Sequence, residues 1–168
     1  MTLSATSSPL ADDVLAAACR YAAARCAKSE CCRSDLLPKL MGRGLSAAQA
    51  GRVLDWLARE GYVDEARYAR AYVADKFRFS RWGRVKIRYM LRLKGIDEHT
   101  IGAALATIGE EEYAAALSEF LASRRAATRG GDGRAVRVKV ARAAIARGFE
   151  PSLVFGRLGE PARDGDSL

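Results

Sequence analysis

One short pattern occurs three times along this chain and limits what it can fold into. A glycine is followed by an apolar residue, then a capping residue, then apolar residues at helical spacing. The copies are GLSAAQAGRVLDWL (44–57), GIDEHTIGAALATI (95–108) and GFEPSLVFGRL (148–158), and their glycines stand 51 and 53 residues apart. Gly44, Gly95 and Gly148 suit the left-handed conformation that ends a helix. Ser46 and Asp97 are good N-caps for the helix that follows, and Ser46 with Gln49 reads as a capping box. Glu150 is a poorer cap, but Pro151 then falls at the favoured first helical position. The apolar residue before each cap is placed to staple the new helix, as Ile96 with Ile101 and Phe149 with Val154. Three such junctions at near-constant spacing predict tandem helical repeats of about fifty residues.

The helices before each glycine align as well. Leu36, Ile87 and Val140 share one position; Leu40, Leu91 and Ala144 share another. With first helices at 12–27, 64–79 and 110–127, each repeat holds three helices. The expected fold is all-α and elongated, with about nine helices. Its expected parts are a flexible N-terminus (1–11), three-helix repeats at 12–61, 62–109 and 110–159, and a flexible tail (160–168). The RGGDG run (129–133) reads as a hinge loop. Pro38 falls within the second helix, so a late start at Ser34 or Asp35, or a kink, is expected there.

The chain has 168 residues, 49% of them apolar, ample for a core. Abundant Ala and Leu favour helix over strand. A formal charge of +8 and a pI near 9.6 point to an acidic partner. That charge is unevenly placed. Residues 76–94 carry eight basic side chains and no acid; residues 124–147 carry eight and only Asp132. No run of about 18 apolar residues exists to span a membrane. The first residues lack a basic stretch followed by an apolar one, so a cytoplasmic location is expected.

Between the first two repeats lies REGYVDEARYARAYV (59–73). Gly61 ends one helix, Asp64 caps the next and Val63 is placed to staple to Tyr68. Tyr68, Ala69, Tyr72 and Val73 form an apolar stripe with Arg67 and Arg70 off it. The segment reads as a rigid elbow, its key residues being Gly61, Tyr62, Asp64, Arg67 and Tyr68. Here the sequence resembles the RecX regulatory proteins of bacteria. The matching stretches are GYVDEARYARAYV, KIRYMLRLKGID with IGAAL, and LPKLMGRGLS with VLDWL. The resemblance covers about residues 12–158 and is weakest in the third repeat. Two departures touch helix capping: Met90 replaces the usual acid that Asp35 keeps, and Cys31-Cys32 replaces a polar capping pair. The resemblance implies a modulator, mainly an inhibitor, of the RecA recombinase. Such a protein lies in the groove of the RecA–DNA filament and suppresses its growth, ATP hydrolysis and strand exchange.

The tract RWGRVKIRYMLRLK (81–94) supplies one candidate contact surface. On a helix, Arg81, Arg84, Arg88 and Arg92 share a face, while Ile87, Met90, Leu91 and Lys94 lie on another that packs inward. Arginine binds phosphates bidentately, and no Asn or Gln stands among the basic side chains to read bases. Arg81, Trp82, Arg84, Lys86, Arg88, Arg92 and Lys94 are therefore the expected contacts to DNA or the RecA filament. Arg134, Arg137, Lys139 and Arg142 form a second patch, and two linked patches give avidity. Core packing is expected for Tyr89 and Phe77, and exposure for Trp82. The expected partners are RecA and single- or double-stranded DNA without strong sequence preference, met by a monomer.

Catalytic chemistry is not expected. His99 is a lone surface residue, and the acids at 110–112 suit a helix start. No phosphate-binding glycine loop is present, and the C-x4-C-C spacing of Cys26, Cys31 and Cys32 is not a zinc site, so neither metal nor cofactor is expected. The competing reading is an autonomous helix-turn-helix DNA-binding protein or repressor with Arg84, Arg88 and Arg92 on its recognition helix.

Overall fold

The computed structural model describes residues 9–130 and 132–159; the expected tail (160–168), residues 1–8 of the expected flexible N-terminus (1–11) and residue 131 of the expected hinge (129–133) lie outside the described residues. Nine α-helices and no strand occur among them, in keeping with the all-α expectation. They are α1 (Pro9–Cys26), α2 (Arg33–Met41), α3 (Ala47–Arg59), α4 (Glu65–Arg78), α5 (Arg84–Leu93), α6 (Glu98–Leu105), α7 (Glu110–Ala127), α8 (Gly133–Arg147) and α9 (Pro151–Leu158). The first helix starts at Pro9, earlier than the sequence suggested, with proline in the first turn where its missing N–H costs nothing.

The three junctions form as their residues dictate. Gly44, Gly95 and Gly148 have φ of 90°, 79° and 99°. The Ser46 hydroxyl accepts from Gln49 N–H at 3.2 Å while the Gln49 side chain accepts from Ser46 N–H at 2.9 Å. Asp97 accepts from Thr100 N–H at 2.9 Å, which holds its carboxyl below the usual carboxylate range. Glu150 makes no side-chain cap, and Pro151 opens α9 instead. Pro38 sits inside α2, which starts at Arg33 rather than later; the helix runs only to Met41 beyond it. Cys32 occupies the N-cap of α2 without a side-chain cap bond, its thiol lying 3.2 Å from the Ser34 hydroxyl.

Packing groups the chain into two compact units. One holds the described residues up to Ala71 with Lys94–Ile96; the other holds Tyr72–Leu93 and the described residues from Asp97 on. The division falls within α4, so these units do not follow the sequence repeats. The core of the first unit gathers Ala18 and Ala22 of α1, Leu36 and Leu40 of α2, and Ala50, Val53, Leu54 and Leu57 of α3. In the second unit Tyr113 stands at the centre of an aromatic group, with ring centroids 5.8 Å from Phe77 and 5.4 Å from Phe149. Phe120 lies 5.8 Å from Phe149 in turn.

The second unit is also joined through backbone. The N-terminal amides of α5, which no helical carbonyl can satisfy, find partners in the third repeat. Gly83 N–H donates to the Arg147 carbonyl and Val85 N–H to the Gly148 carbonyl, both at 3.0 Å. Arg84 N–H donates to the Tyr113 hydroxyl at 3.0 Å, and that hydroxyl donates to Glu150 at 2.5 Å. The approach is so close that any side chain at Gly83 would meet the Gly148 carbonyl. Burial, followed by the bond to Glu150, pushes the Tyr113 hydroxyl far above its ordinary range and keeps it protonated as a donor.

Candidate nucleic-acid interface

The elbow comes first because its residues are the most tightly engaged. Asp64 accepts from Arg67 N–H at 2.8 Å and so caps α4, as its place after Gly61 (φ 75°) suggested. The Arg67 side chain turns back and donates to the carbonyls of Gly61 (3.1 Å) and Tyr62 (3.3 Å) and to Glu30 (2.6 Å). It thereby holds the end of α3 to the start of α4. Tyr62 stacks on Trp56 with centroids 5.6 Å apart, and the buried Tyr68 reaches Asp35 with its hydroxyl at 3.4 Å. These residues build the fold of the first unit.

The tract 81–94 departs from its expected geometry. Helix α5 begins only at Arg84, and Arg81 stands before it with φ 54°, so Arg81 does not share a helical face with Arg84, Arg88 and Arg92. Its guanidinium meets Glu119 at 3.2 Å. Arg84 is the largest correction. Its side chain is only 18% exposed, lies 4.1 Å over the Tyr113 ring and donates to Glu110 (2.7 Å) and the Ile108 carbonyl (3.1 Å). It is a packing residue. Arg88 and Arg92 both pair with Glu98, the latter at 2.7 Å. Lys94 lies inward as expected and binds both Asp35 oxygens, at 2.8 and 2.9 Å. Lys86 lies 4.3 Å over the Trp82 ring. A recognition-helix role for Arg84, Arg88 and Arg92 would require these cations to leave carboxylates that already hold them.

The apolar side chains of the tract divide differently from expectation too. Ile87 and Leu91 are fully buried, but Tyr89 is 59% exposed and shares an outer stripe with Val85 and Leu93. Tyr89 is two residues from Ile87 and from Leu91, off the i+4 row that packs inward. Phe77 is buried as expected, Trp82 is half-buried rather than open, and Phe79 is the most exposed aromatic of the group at 83%. His99 lies at the surface.

The second basic patch has the opposite electrostatics. In α8, Val140, Ala141 and Ala144 face the core, while Arg134, Lys139 and Arg142 are exposed. None of these three has a carboxylate within 4.0 Å among the described residues, unlike Arg81, Arg84, Arg88, Arg92 and Lys94 of the tract. The acid of this region, Asp132, caps α8 by accepting from Ala135 N–H at 2.7 Å. Arg137 lies on the side of α8 that faces α7 and α9 and is half-buried. Three cations without a carboxylate neighbour among the described residues thus lie on α8.

The cysteines are packing residues. Cys31 and Cys32 are buried, and burial together with the neighbouring Cys31 thiol pushes Cys26 up to about 11. A thiol so disfavoured as thiolate is a poor nucleophile.

With this geometry in view, comparison with known proteins is informative. Residues 64–105 match the family model for the second three-helix domain of RecX. The regulatory protein RecX of Lactobacillus delbrueckii subsp. bulgaricus is 39% identical over 70 residues, 42% of this chain and 26% of that protein. That of Xanthomonas oryzae pv. oryzae is 39% identical over 75 residues, 45% of this chain and 46% of its own. A Mycobacterium regulatory protein RecX is 34% identical over 76 residues, 45% and 42% of the two chains. The matches thus span about a quarter to a half of these relatives' length. Two crystal structures share the fold: a regulatory protein RecX (TM-score 0.80, 24% identity, 89% of this chain and 73% of that one) and RecX from Lactobacillus salivarius (TM-score 0.76, 16% identity, 86% and 94%). The matched residues 64–105 include Asp64, Arg67 and Tyr68 of the elbow and the whole tract 81–94, and over part of its length the chain is similar to the regulatory RecX proteins.

Proposed function

We propose that this chain regulates a RecA-type recombinase, mainly as an inhibitor, by binding the recombinase–DNA filament and restraining its growth, ATP hydrolysis and strand exchange. It acts by binding rather than catalysis, as a monomer built of three repeats (12–61, 62–109 and 110–159). The similarity to regulatory RecX proteins suggests the partner. The observation that carries the nucleic-acid part of the reading is the unmatched cationic face of α8. Arg134, Lys139 and Arg142 project from one helix with no carboxylate to neutralise them, and a phosphate chain supplies closely spaced negative charge for such a face. The tract 81–94 contributes less in this reading, because Arg81, Arg84, Arg88, Arg92 and Lys94 already meet carboxylates.

The test is a titration of RecA ATPase on single-stranded DNA with the parent protein and with the Arg134→Gln/Lys139→Gln/Arg142→Gln variant. The parent suppresses hydrolysis, and the variant needs about tenfold more protein for the same effect at moderate salt. No suppression by the parent refutes the regulatory reading. Equal potency of the two proteins refutes the role given to α8.

A further inference from the structure

Three arginines from three helices converge on one cavity of the third repeat. Arg125 comes from the last turn of α7, Arg137 from α8 and Arg157 from the last turn of α9. The cavity has a volume of about 320 Å3, and Gly133, Val136, Val140 and Leu158 complete its lining. No acid lines it. Neither Arg125 nor Arg157 has a carboxylate within 4.0 Å among the described residues, whereas Arg33, Arg67, Arg84, Arg88 and Arg92 all do. Arg157 is held in place from α7: its Nε donates to the Ser118 hydroxyl at 3.3 Å, and that hydroxyl donates to the Ala114 carbonyl at 2.9 Å. Arg125 and Arg157 thus bring two guanidiniums without a carboxylate neighbour to a partly apolar cavity, and a bound anion relieves their repulsion.

We propose that this cavity seats a backbone phosphate of a nucleic-acid strand. A single planar carboxylate is satisfied by one guanidinium fork, whereas a tetrahedral phosphate offers acceptors in several directions and suits donors arriving from three helices. The volume falls at the small end of the range for ligand cavities, about 300–1,000 Å3. A strand is favoured over a free phosphate by continuity. Gly133 lines the cavity, and the next residue, Arg134, begins the exposed cationic face of α8. A chain of phosphates passing from the cavity along α8 would meet Arg134 and Arg142 in turn. The assignment rests on the nucleic-acid reading above and adds Arg125 and Arg157 to it.

The experiment measures binding of a fluorescent oligothymidylate by anisotropy between 50 and 200 mM NaCl. It compares the parent, Arg125→Gln/Arg157→Gln, and the equally charged control Arg52→Gln/Arg59→Gln in α3, each checked for helicity. Loss of one single-strand phosphate contact lowers the slope of log K against log salt by about 0.7, so over this fourfold range the parent loses about 2.6-fold more affinity than the cavity variant. The control keeps the parent slope. Arg125→Gln alone, which removes an exposed side chain, serves if the double variant unfolds early. Parallel slopes for parent and cavity variant overturn the site while leaving the broader reading standing. No oligonucleotide binding by the parent overturns both. Calorimetry with inorganic pyrophosphate separates the sources: saturable binding that the cavity variant loses, alongside parallel oligonucleotide slopes, assigns the cavity to a free phosphate and overturns the strand.

Discussion

Replacing Gly83 by alanine should be disproportionately costly for a change of one methyl group. The added Cβ would lie closer than 3.0 Å to the carbonyl carbon and oxygen of Gly148 and to the amide nitrogen of Phe149. These are backbone atoms of a buried junction, so no side chain can swing aside. Carbon atoms rest at about 3.5–4.0 Å, and restoring that distance pulls the α8–α9 junction away from the start of α5. Two hydrogen bonds at 3.0 Å are then lost, Gly83 N–H to Arg147 and Val85 N–H to Gly148. A buried donor left unmatched costs about 1–3 kcal/mol and a more exposed one about 0.5–1.5 kcal/mol. Phe149, 1% exposed against Tyr113, loses part of its packing as well. Against these stands a gain of about 0.4–1 kcal/mol from the stiffer unfolded chain. The net expectation is a loss of about 2–4 kcal/mol.

Urea unfolding followed by circular dichroism and tryptophan fluorescence measures this, and Trp82 beside the substitution reports the local event. With a slope of about 2 kcal/mol per molar, the midpoint falls by about 1–2 M. Gly102→Ala is the internal control. That glycine lies in α6 with nothing within 4 Å of its added Cβ, so alanine there should stabilise by about 0.5–1 kcal/mol. If the two variants unfold alike, the close backbone approach does not hold the second and third repeats together, and the trans-capping of α5 is wrong.

Two further outcomes follow from the first unit. Asp64→Ala removes the cap on α4 and should cost about 0.5–2 kcal/mol by chemical unfolding, while Gly61→Val should cost more because Gly61 has φ 75°. For Asp35, burial acts to raise the carboxyl pKa, but the Lys94 ammonium and hydrogen bonds from Cys32 and Tyr68 outweigh it and hold the group low. A depressed carboxylate adds stability above its unfolded pKa of about 3.9, and that stability is lost as pH falls through the lower folded value. Asp35→Asn should therefore be less stable at pH 7 and show a flatter acid limb below about pH 4, measured as melting temperature against pH.

The features legible in the sequence were the local ones. A glycine, a cap and a staple act within five or six residues, so the junctions at Gly44, Gly95 and Gly148 and the cap at Asp64 could be read directly. The fate of each charge could not. Arg84 is spent on Glu110 and Tyr113, 26 and 29 residues away, and nothing in the spacing of the tract announces contacts at that range. The acids at 110–112 were explained by the helix dipole alone, yet Glu110 also neutralises Arg84. Tyr89 was misplaced for a simpler reason. Two apolar rows run along α5, one through Ile87 and Leu91 and one through Val85, Tyr89 and Leu93, and only the former is buried. Convergence of Arg125, Arg137 and Arg157 depends on how three helices pack, which no linear pattern encodes.

The trans-capping of α5 bears on function through the helix it anchors. The backbone that leaves α8 at Arg147 and Gly148 is the same backbone that satisfies the first amides of α5. The C-terminal end of α8 is thus fixed by hydrogen bonds and by a contact only glycine permits, while Tyr113 and Phe149 fix it from the side. Arg134, Lys139 and Arg142 therefore project from a helix whose position is set before any ligand arrives. A preformed row of cations loses less ordering entropy on meeting a phosphate chain than the same side chains on a loose segment. The paired arginines of the α5 tract then have a role that their number in the sequence concealed. By locking into Tyr113 and Glu110, Arg84 helps hold the platform on which Arg134 and Arg142 stand.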